Sequence, residues 1–217
     1  METLPKPLGE RPAYPCRKVM TGFHLEKWQD SDWTIYPVTS PFILLDGSGP
    51  ATYQTKVRAV WTQDALYVAF WCHDPEPWAT FTERDADLYE EEVVEVFLNP
   101  WPEDETSYFE FEINPLGTLF DARIHWTPGG IEVDRLWDCA GLVGAVRAVP
   151  GLGWRAGLRI PFYGLGYHPA PGEVWAVNFY RIERRPRVEF SSWAPILTRP
   201  PSFHSPSSFG RLRFTEG

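Results

Sequence analysis

The chain has 217 residues, of which 43% are hydrophobic and 23% are charged, and this composition excludes a chain that is disordered throughout. The net charge of −9 and the pI of about 5.1 argue against binding to nucleic acid or to an anionic membrane surface, because both would repel an acidic protein. Aromatic residues make up 16% of the chain, enough both to fill a wide β-sheet core and to offer flat faces to a ligand.

The N-terminal part of the chain carries no apolar run of the kind found in secretory leaders, and no stretch reaches the length of a membrane span. We therefore expect a cytoplasmic protein, or a secreted one if a leader has been removed. Residues 1–54 are predicted to form an irregular segment plus a first strand. Together with the rest of the chain they are predicted to make one β-sandwich domain over residues 1–217.

From about residue 55 the sequence alternates between apolar and polar residues with the period of β-strands. This pattern predicts strands at 56–61, 66–74, 93–99, 108–114, 118–126, 153–161, 173–183 and 209–214. The strand at 66–74 is apolar on both faces, which indicates a central position in its sheet. Because no long helix alternates with these strands, we expect an all-β fold: an antiparallel two-sheet β-sandwich of the jelly-roll or immunoglobulin-like type.

Long connections between these strands are typical of loops that carry function. They cover residues 74–92, 99–107, 126–137 and 194–208.

A basic cluster stands out against the acidic charge of the chain, and it comprises Arg181, Arg184, Arg185 and Arg187. Its neighbours Glu183 and Glu189 predict a solvated strand end held by salt bridges.

The chain has three cysteines, Cys16, Cys72 and Cys139. Their odd number and wide spacing predict no disulfide framework and no C-x-x-C metal site. Cys72 lies in an apolar run and is predicted to be a buried small hydrophobic residue.

Glu95 lies between Val93 and Phe97 on one face of an otherwise apolar strand. Burying a carboxylate without a partner is costly, so Glu95 requires one. It forms either an ion pair in the core, for instance with an arginine, or a hydrogen bond to a ligand. Both alternatives remain open from the sequence.

Catalytic motifs are absent from the sequence: it contains no nucleophile elbow, zincin motif, Walker loop or dinucleotide-binding fingerprint. The acidic run Glu90, Glu91, Glu92 and Glu95 raises the possibility of a glycosidase, which needs two carboxylates. Glycosidase carboxylates usually come from different strands, whereas this run is local. The histidines never fall at metal-ligand spacing. We therefore predict no catalytic residues, no metal centre built on histidine and no enzymatic activity.

Several segments in order resemble the family 9 carbohydrate-binding modules, which are related to the DOMON β-sandwiches. They are ALYVAFWCHD, LYEEEVVEVFLNP, YFEFEINPLGTLFD, GWRAGLRIPFYGLGYHPAPGEVWAVNFYRIE, SSWAPI and FHSPSSFGRLRF, and they extend from about residue 55 to the end. The resemblance implies a β-sandwich that binds a poly- or oligosaccharide without catalysis, at glucan or xylan chain ends. It also implies a link to polysaccharide catabolism and to glycoside hydrolases, to which such modules are often attached.

In this family two aromatic rings clamp the terminal sugar, and polar side chains bind its hydroxyl groups. Matched to this sequence, the clamp falls on Tyr89 and Phe203, and the hydroxyl-binding glutamate falls on Glu95. Glu110, on the outward face of its strand, can reach the same groove, and Trp193 and Trp78 lie on flanking loops, where they can supply further ring surface. The full set of predicted carbohydrate-binding residues is Tyr89, Glu95, Glu110, Phe203, His204, Trp193 and Trp78. The sequence departs from the family at two points. The clamp residues are usually tryptophans, whereas here they are Tyr89 and Phe203, and an arginine expected beside Tyr108 is replaced by Phe109.

Related modules bind calcium in structural loop sites, and no other cofactor is expected. Oxygen donors of a suitable kind are Asp46, Asp74, Asp85 and Asp87. Two further classes of function remain as alternatives to sugar binding and to the glycosidase. One is a protein-interaction scaffold that has lost the sugar site. The other is a haem-binding DOMON-type domain, for which only Met1 and Met20 could supply a methionine ligand.

Overall fold

The computed structural model describes residues 11–20, 24–27 and 29–217. Most of the N-terminal segment for which no leader is predicted, including Met1, lies outside these ranges. The strands within them are β1 (Ala13–Lys18), β2 (Ile43–Leu44), β3 (Thr55–Trp61), β4 (Ala65–His73), β5 (Val93–Asn99), β6 (Ser107–Ile113), β7 (Leu119–Thr127), β8 (Gly130–Asp134), β9 (Val143–Val149), β10 (Gly153–Pro161), β11 (Val174–Glu183), β12 (Glu189–Ser192) and β13 (Gly210–Thr215). Two short α-helices, α1 (Asp30–Trp33) and α2 (Phe162–Leu165), and 3-10 turns at Leu25–Lys27, Leu88–Glu90 and Pro206–Ser208 complete the elements. None of the described helices is long and apolar enough to cross a membrane.

Hydrogen bonds join these strands into a single sheet in the order β8-β7-β6-β5-β11-β13-β1-β3-β4-β10-β9, with β12 pairing with β11 and with β2. The all-β prediction is confirmed. The prediction of an antiparallel two-sheet sandwich of the jelly-roll or immunoglobulin-like type is not confirmed in detail, because the strands form one continuous sheet and β1 runs parallel to both of its neighbours, β13 and β3. The sheet is therefore mixed.

The main core lies between the two halves of this curled sheet. Phe70 of β4 packs edge to face on Phe179 of β11, with ring centroids 6.0 Å apart. Strand β4 lies between β3 and β10, and both of its faces are buried, as its double-sided apolar pattern predicts. The three cysteines are free and buried, which confirms the prediction for Cys72.

A second apolar cluster covers the opposite face of β5, β6 and β11. Its central ring, Phe97, contacts the rings of Tyr108, Tyr180 and Phe209. A strand with one face in the main core normally turns its other face to solvent, but here the loops after β4 and β12 cover that face as well. This outer cluster forms the surroundings of the candidate site.

Arg181 departs from the predicted solvated strand end, because its side chain is almost fully buried. Its guanidinium lies 2.9 Å from the Asp74 carboxylate and also contacts Glu183. Strand β11 has both faces buried, so an arginine on it requires buried acids as partners. The prediction of solvent exposure holds for Arg185 and Arg187 only.

Candidate functional site

A cavity of about 350 Å³ opens beside the outer apolar cluster. Its walls are formed by Tyr89, Glu95, Phe97, Glu110, Phe120, Val133, Arg135, Ile182, Phe203 and His204. Five residues of the predicted sugar site therefore lie around one cavity: Tyr89, Glu95, Glu110, Phe203 and His204.

Strands β5 and β6 build the floor of the cavity. Their antiparallel register pairs Phe97 with Glu110 and Glu95 with Glu112. Because side chains alternate along a strand, all four project from the same face of the sheet. Three glutamates, Glu95, Glu110 and Glu112, thus share this face with Phe97, and aromatic rings of the outer cluster surround their carboxyl groups.

Tyr89 forms one wall of the cavity and lies in the 3-10 turn between the loop after β4 and strand β5. The preceding residue, Leu88, is fully buried and anchors this turn in the outer cluster. Tyr89 itself stays 46% exposed. Its backbone carbonyl accepts a hydrogen bond of 2.7 Å from Arg184, which fixes the turn from the other side. The turn therefore presents the tyrosine ring to solvent on a fixed backbone.

Phe203 forms another wall, and its ring stacks on Tyr180 with centroids 4.3 Å apart and planes 15° from parallel. The Tyr180 hydroxyl donates a 2.8 Å hydrogen bond to the Phe203 carbonyl. Phe190 meets the same ring edge to face at 6.3 Å. These contacts hold Phe203 in one orientation, so its ring is an aromatic surface that is ordered before any ligand arrives.

His204 follows Phe203 and brings a polar group to the same wall. Its Nδ1 lies 2.9 Å from the Tyr108 hydroxyl, and its ring lies 5.1 Å from that of Phe97. Burial lowers the pKa of His204 to about 4. The imidazole is therefore neutral at neutral pH and can both donate and accept a hydrogen bond.

Glu95 and Glu110 place two buried carboxyl groups at the floor. Burial raises the pKa of Glu110 to about 7, against smaller opposing effects from Glu112 and Arg135. Burial, and then repulsion by Glu110, raises the pKa of Glu95 well above its ordinary range. No salt bridge to Glu95 occurs among the described residues, so the ion-pair alternative for this residue is not realised there.

Arg135 is a cavity residue that the sequence did not single out. It donates hydrogen bonds of 2.7 Å to the Asp87 carboxylate and to the Asp85 carbonyl, and its guanidinium lies 5.2 Å from the Phe120 ring. It directly follows β8, a strand inside the segment predicted to be a loop. In the sequence, Arg135 is marked only by its place after GIEVD, a short segment of alternating apolar and polar residues. That pattern is too weak to assign a role to the arginine.

Two predicted site residues lie elsewhere. Trp193 is only 3% exposed and packs on Phe179 in the main core, with ring centroids 5.5 Å apart. Its backbone N–H continues the pairing with β11, which turns its side chain inward. Trp78 is half-buried beneath Arg185, whose guanidinium lies 4.4 Å from the indole ring. Both assignments to the sugar site rested on loop position alone, and neither residue lines the cavity.

The aspartates proposed as calcium donors do not form one site. Asp46 accepts a hydrogen bond from the Ser48 backbone in a turn, and Asp87 binds Arg135. The other two belong to separate carboxylate groups, in each of which the ligand atoms lie within 4.8 Å of one another: Asp74, Glu92 and Glu183, and Asp85, Asp121 and Asp138. A third such group, Glu95, Glu110 and Glu112, lies at the cavity floor.

Comparison with known proteins gives one family and several similar folds. The model of carbohydrate-binding family 9 matches residues 48–214. A candidate carbohydrate-binding protein of Bacteroides uniformis is 19% identical, with a TM-score of 0.76 over 94% of this chain and 100% of that chain. A family 9 carbohydrate-binding module of Caldicellulosiruptor kristjanssonii in complex with glucose is 18% identical, with a TM-score of 0.69 over 96% of this chain and 97% of that chain. The same kind of module in complex with cellotriose is 18% identical, with a TM-score of 0.65 over 93% of this chain and 94% of that chain. No curated protein matches the sequence.

Proposed function

The chain belongs to carbohydrate-binding family 9, as its sequence motifs predict, and we propose that it binds a poly- or oligosaccharide in the cavity beside Tyr89. The observation that carries this proposal is the convergence of two aromatic rings, Tyr89 and Phe203, with the polar groups of Glu95, Glu110 and His204 around one opening. The cavity volume of about 350 Å³ suits a small ligand or the end of a larger one.

The chemistry of a pyranose matches this arrangement. Its C–H faces are apolar and pack on aromatic rings, while its hydroxyl groups require donors and acceptors in the plane of the ring. Tyr89 and the ordered ring of Phe203 supply the aromatic surfaces. The neutral imidazole of His204 supplies both a donor and an acceptor, and the carboxyl groups of Glu95 and Glu110 do the same wherever they carry a proton.

A β-glucan is the first ligand to test, because the similar modules of Caldicellulosiruptor kristjanssonii were crystallised with glucose and with cellotriose. The module would then hold a polysaccharide rather than cleave it. Glu95 and Glu110 do lie in one cavity, as glycosidase carboxylates do. A retaining glycosidase, however, needs one carboxylate that stays ionised as a nucleophile, and burial raises the pKa of both glutamates.

Titration calorimetry against cello-, xylo- and manno-oligosaccharides tests the proposal directly. Binding of at least one series with a dissociation constant below about 1 mM is the expected result, equivalent to about 4 kcal/mol. Absence of heat for every series would overturn the sugar-binding proposal and favour the scaffold alternative. Release of reducing ends from a matching polysaccharide, lost in Glu95→Gln, would instead favour a glycosidase.

A further inference from the structure

Three glutamates converge beneath the cavity in a way that sugar binding does not require. Glu95 of β5 lies directly opposite Glu112 of β6, and Glu110 projects from the same face two residues away. One carboxylate oxygen of each lies within 4.8 Å of the others. All three side chains are buried, and Glu112 is fully buried. We call Glu95, Glu110 and Glu112 the floor triad.

Part of the floor triad is unsatisfied by the protein. Outside the triad, neither carboxylate oxygen of Glu112 has a hydrogen-bond partner in the described parts of the chain, and Oε1 of Glu95 has none either. Buried polar atoms are nearly always paired in folded proteins, since an unpaired one costs free energy. Three buried carboxylates at this separation also repel one another. The arrangement therefore needs positive charge, either from protons held by the carboxyl groups or from a bound cation.

The other two carboxylate groups obtain that charge from arginines. Arg181 contacts Asp74 and Glu183 in one of them. Arg84 contacts all three aspartates of the other, Asp85, Asp121 and Asp138. Along the described ranges, the floor triad has no salt bridge of this kind. The positive charge of Arg135 acts on Glu110 and Glu112, but its guanidinium is hydrogen-bonded to Asp87 and to the Asp85 backbone.

The geometry points to a divalent cation, which we propose is calcium, bound by Glu95, Glu110 and Glu112 at the floor of the cavity. Carboxylate oxygens are the ligands that calcium prefers, and three glutamates can offer up to six oxygens at its flexible coordination distances of about 2.3–2.6 Å. No histidine or cysteine belongs to this group, so zinc and softer metals are disfavoured.

A cationic group on the sugar satisfies the floor triad less well than a bare ion. Glu95 and Glu110 line the cavity, but Glu112 does not, so an amino sugar in the cavity leaves the most deeply buried carboxylate unpaired. A small ion that sits among the three side chains reaches Glu112 as well. This site differs from the loop aspartates expected to bind structural calcium, and it does not depend on whether the protein binds sugar.

Terbium luminescence and calcium calorimetry on EDTA-treated protein without sugar test this site. Terbium replaces calcium at oxygen sites, and Tyr108 and Tyr180 of the neighbouring cluster can sensitise its emission. We expect emission that calcium displaces, heat on calcium addition and a melting temperature that rises with calcium. Glu112→Gln should weaken calcium binding at least tenfold. Asp138→Asn, which alters the Arg84 group at an exposed position, should leave calcium binding unchanged.

Three results would overturn the calcium site. They are a wild-type protein that gives no calcium heat at millimolar concentration, terbium emission that calcium does not displace, and Glu112→Gln protein that binds calcium as tightly as wild type. In each case the floor triad would hold protons rather than a metal. Circular dichroism of calcium-free Glu112→Gln protein distinguishes loss of the site from loss of the fold. Removing one charge from the triad should not lower the stability of the calcium-free protein.

Discussion

Phe203 lies flat on Tyr180, and the Tyr180 hydroxyl holds the Phe203 backbone with a hydrogen bond of 2.8 Å. One face of the phenylalanine ring is thus occupied by the protein. Phe203 therefore serves both as a wall of the cavity and as part of the outer apolar cluster. Tyr89 has no such double role, because it is nearly half exposed on a turn that Leu88 anchors. The two clamp residues should respond differently to truncation.

Tyr89→Ala should weaken oligosaccharide binding at least tenfold while the melting temperature stays within a few degrees of wild type. A stacking ring contributes about 1 kcal/mol beyond its burial, and an exposed ring adds little to folding. Calorimetry and differential scanning fluorimetry measure the two quantities. Tyr163→Ala removes another exposed tyrosine, one on α2, and should change neither. Unchanged affinity in Tyr89→Ala would remove Tyr89 from the sugar site.

Phe203→Ala should weaken sugar binding and also lower the free energy of unfolding, by about 1–3 kcal/mol, because it removes a ring packed on Tyr180 and Phe190. Urea denaturation measures the second effect. Phe203→Trp keeps an aromatic face and should retain binding. If Phe203→Ala bound sugar as wild type does, the aromatic clamp would be wrong even though the stability effect remained.

Several strands could be placed from the sequence because apolar residues recur at every second position along the buried face of a strand. The pattern at 66–74 predicted a central strand, and β4 is buried on both faces between β3 and β10. A first strand was predicted within residues 1–54 but could not be given bounds, since only Tyr14 and Cys16 mark the buried side of β1. Its two parallel pairings are also long-range and leave no local signal.

The candidate site was predictable only in part, and largely through the family resemblance. Alternation alone placed Glu95 and Glu110 on faces of strands, but it could not show that the face opposite the main core is itself apolar. Trp193 was assigned to the site because it was placed on a flanking loop, whereas the continued pairing of its backbone with β11 turns it into the core. Arg135 could not be found, because its role arises from contacts with residues about fifty positions away.

Trp193→Ala should destabilise the protein by about 3–5 kcal/mol, because a core indole leaves a large cavity. The expected outcome is a large fall in the urea midpoint with sugar affinity unchanged in whatever protein remains folded. Trp126→Ala, which removes a more exposed tryptophan from β7, should cost little. Selective loss of sugar binding in stable Trp193→Ala protein would restore the original assignment of this residue to the sugar site.

His204 should make stability depend on pH between about 4 and 6.5. Burial lowers its pKa in the folded protein to about 4, whereas the unfolded chain takes up the proton near pH 6.5. The unfolded state therefore binds more protons in this window, so the contribution of His204 to stability is complete above pH 6.5 and is lost as the pH falls. Urea midpoints measured from pH 4.5 to 7.5 should fall more steeply in wild type than in His204→Gln. Parallel curves for the two proteins would contradict the burial of this imidazole.

Arg181→Met should destabilise the protein by about 3–5 kcal/mol, because it leaves the buried carboxyl groups of Asp74 and Glu183 without their guanidinium.

The same variant should change the pH dependence of stability. Burial raises the pKa of Glu183 to about 9 and Arg181 opposes that rise, so removing the guanidinium should raise the pKa of Glu183 further. An acid whose folded pKa lies above its unfolded value favours the folded state at low pH, and this contribution is lost as the pH rises. In urea titrations, both proteins should lose stability as the pH rises above about 5, and in the variant this loss should continue above pH 9, where the contribution of Glu183 levels off in wild type. Arg147→Met, which breaks an exposed pair with Asp30, should cost at most about 1 kcal/mol at any pH. An Arg181→Met protein that is as stable as Arg147→Met at pH 8 would mean that Arg181 is not the counter-charge of this buried group.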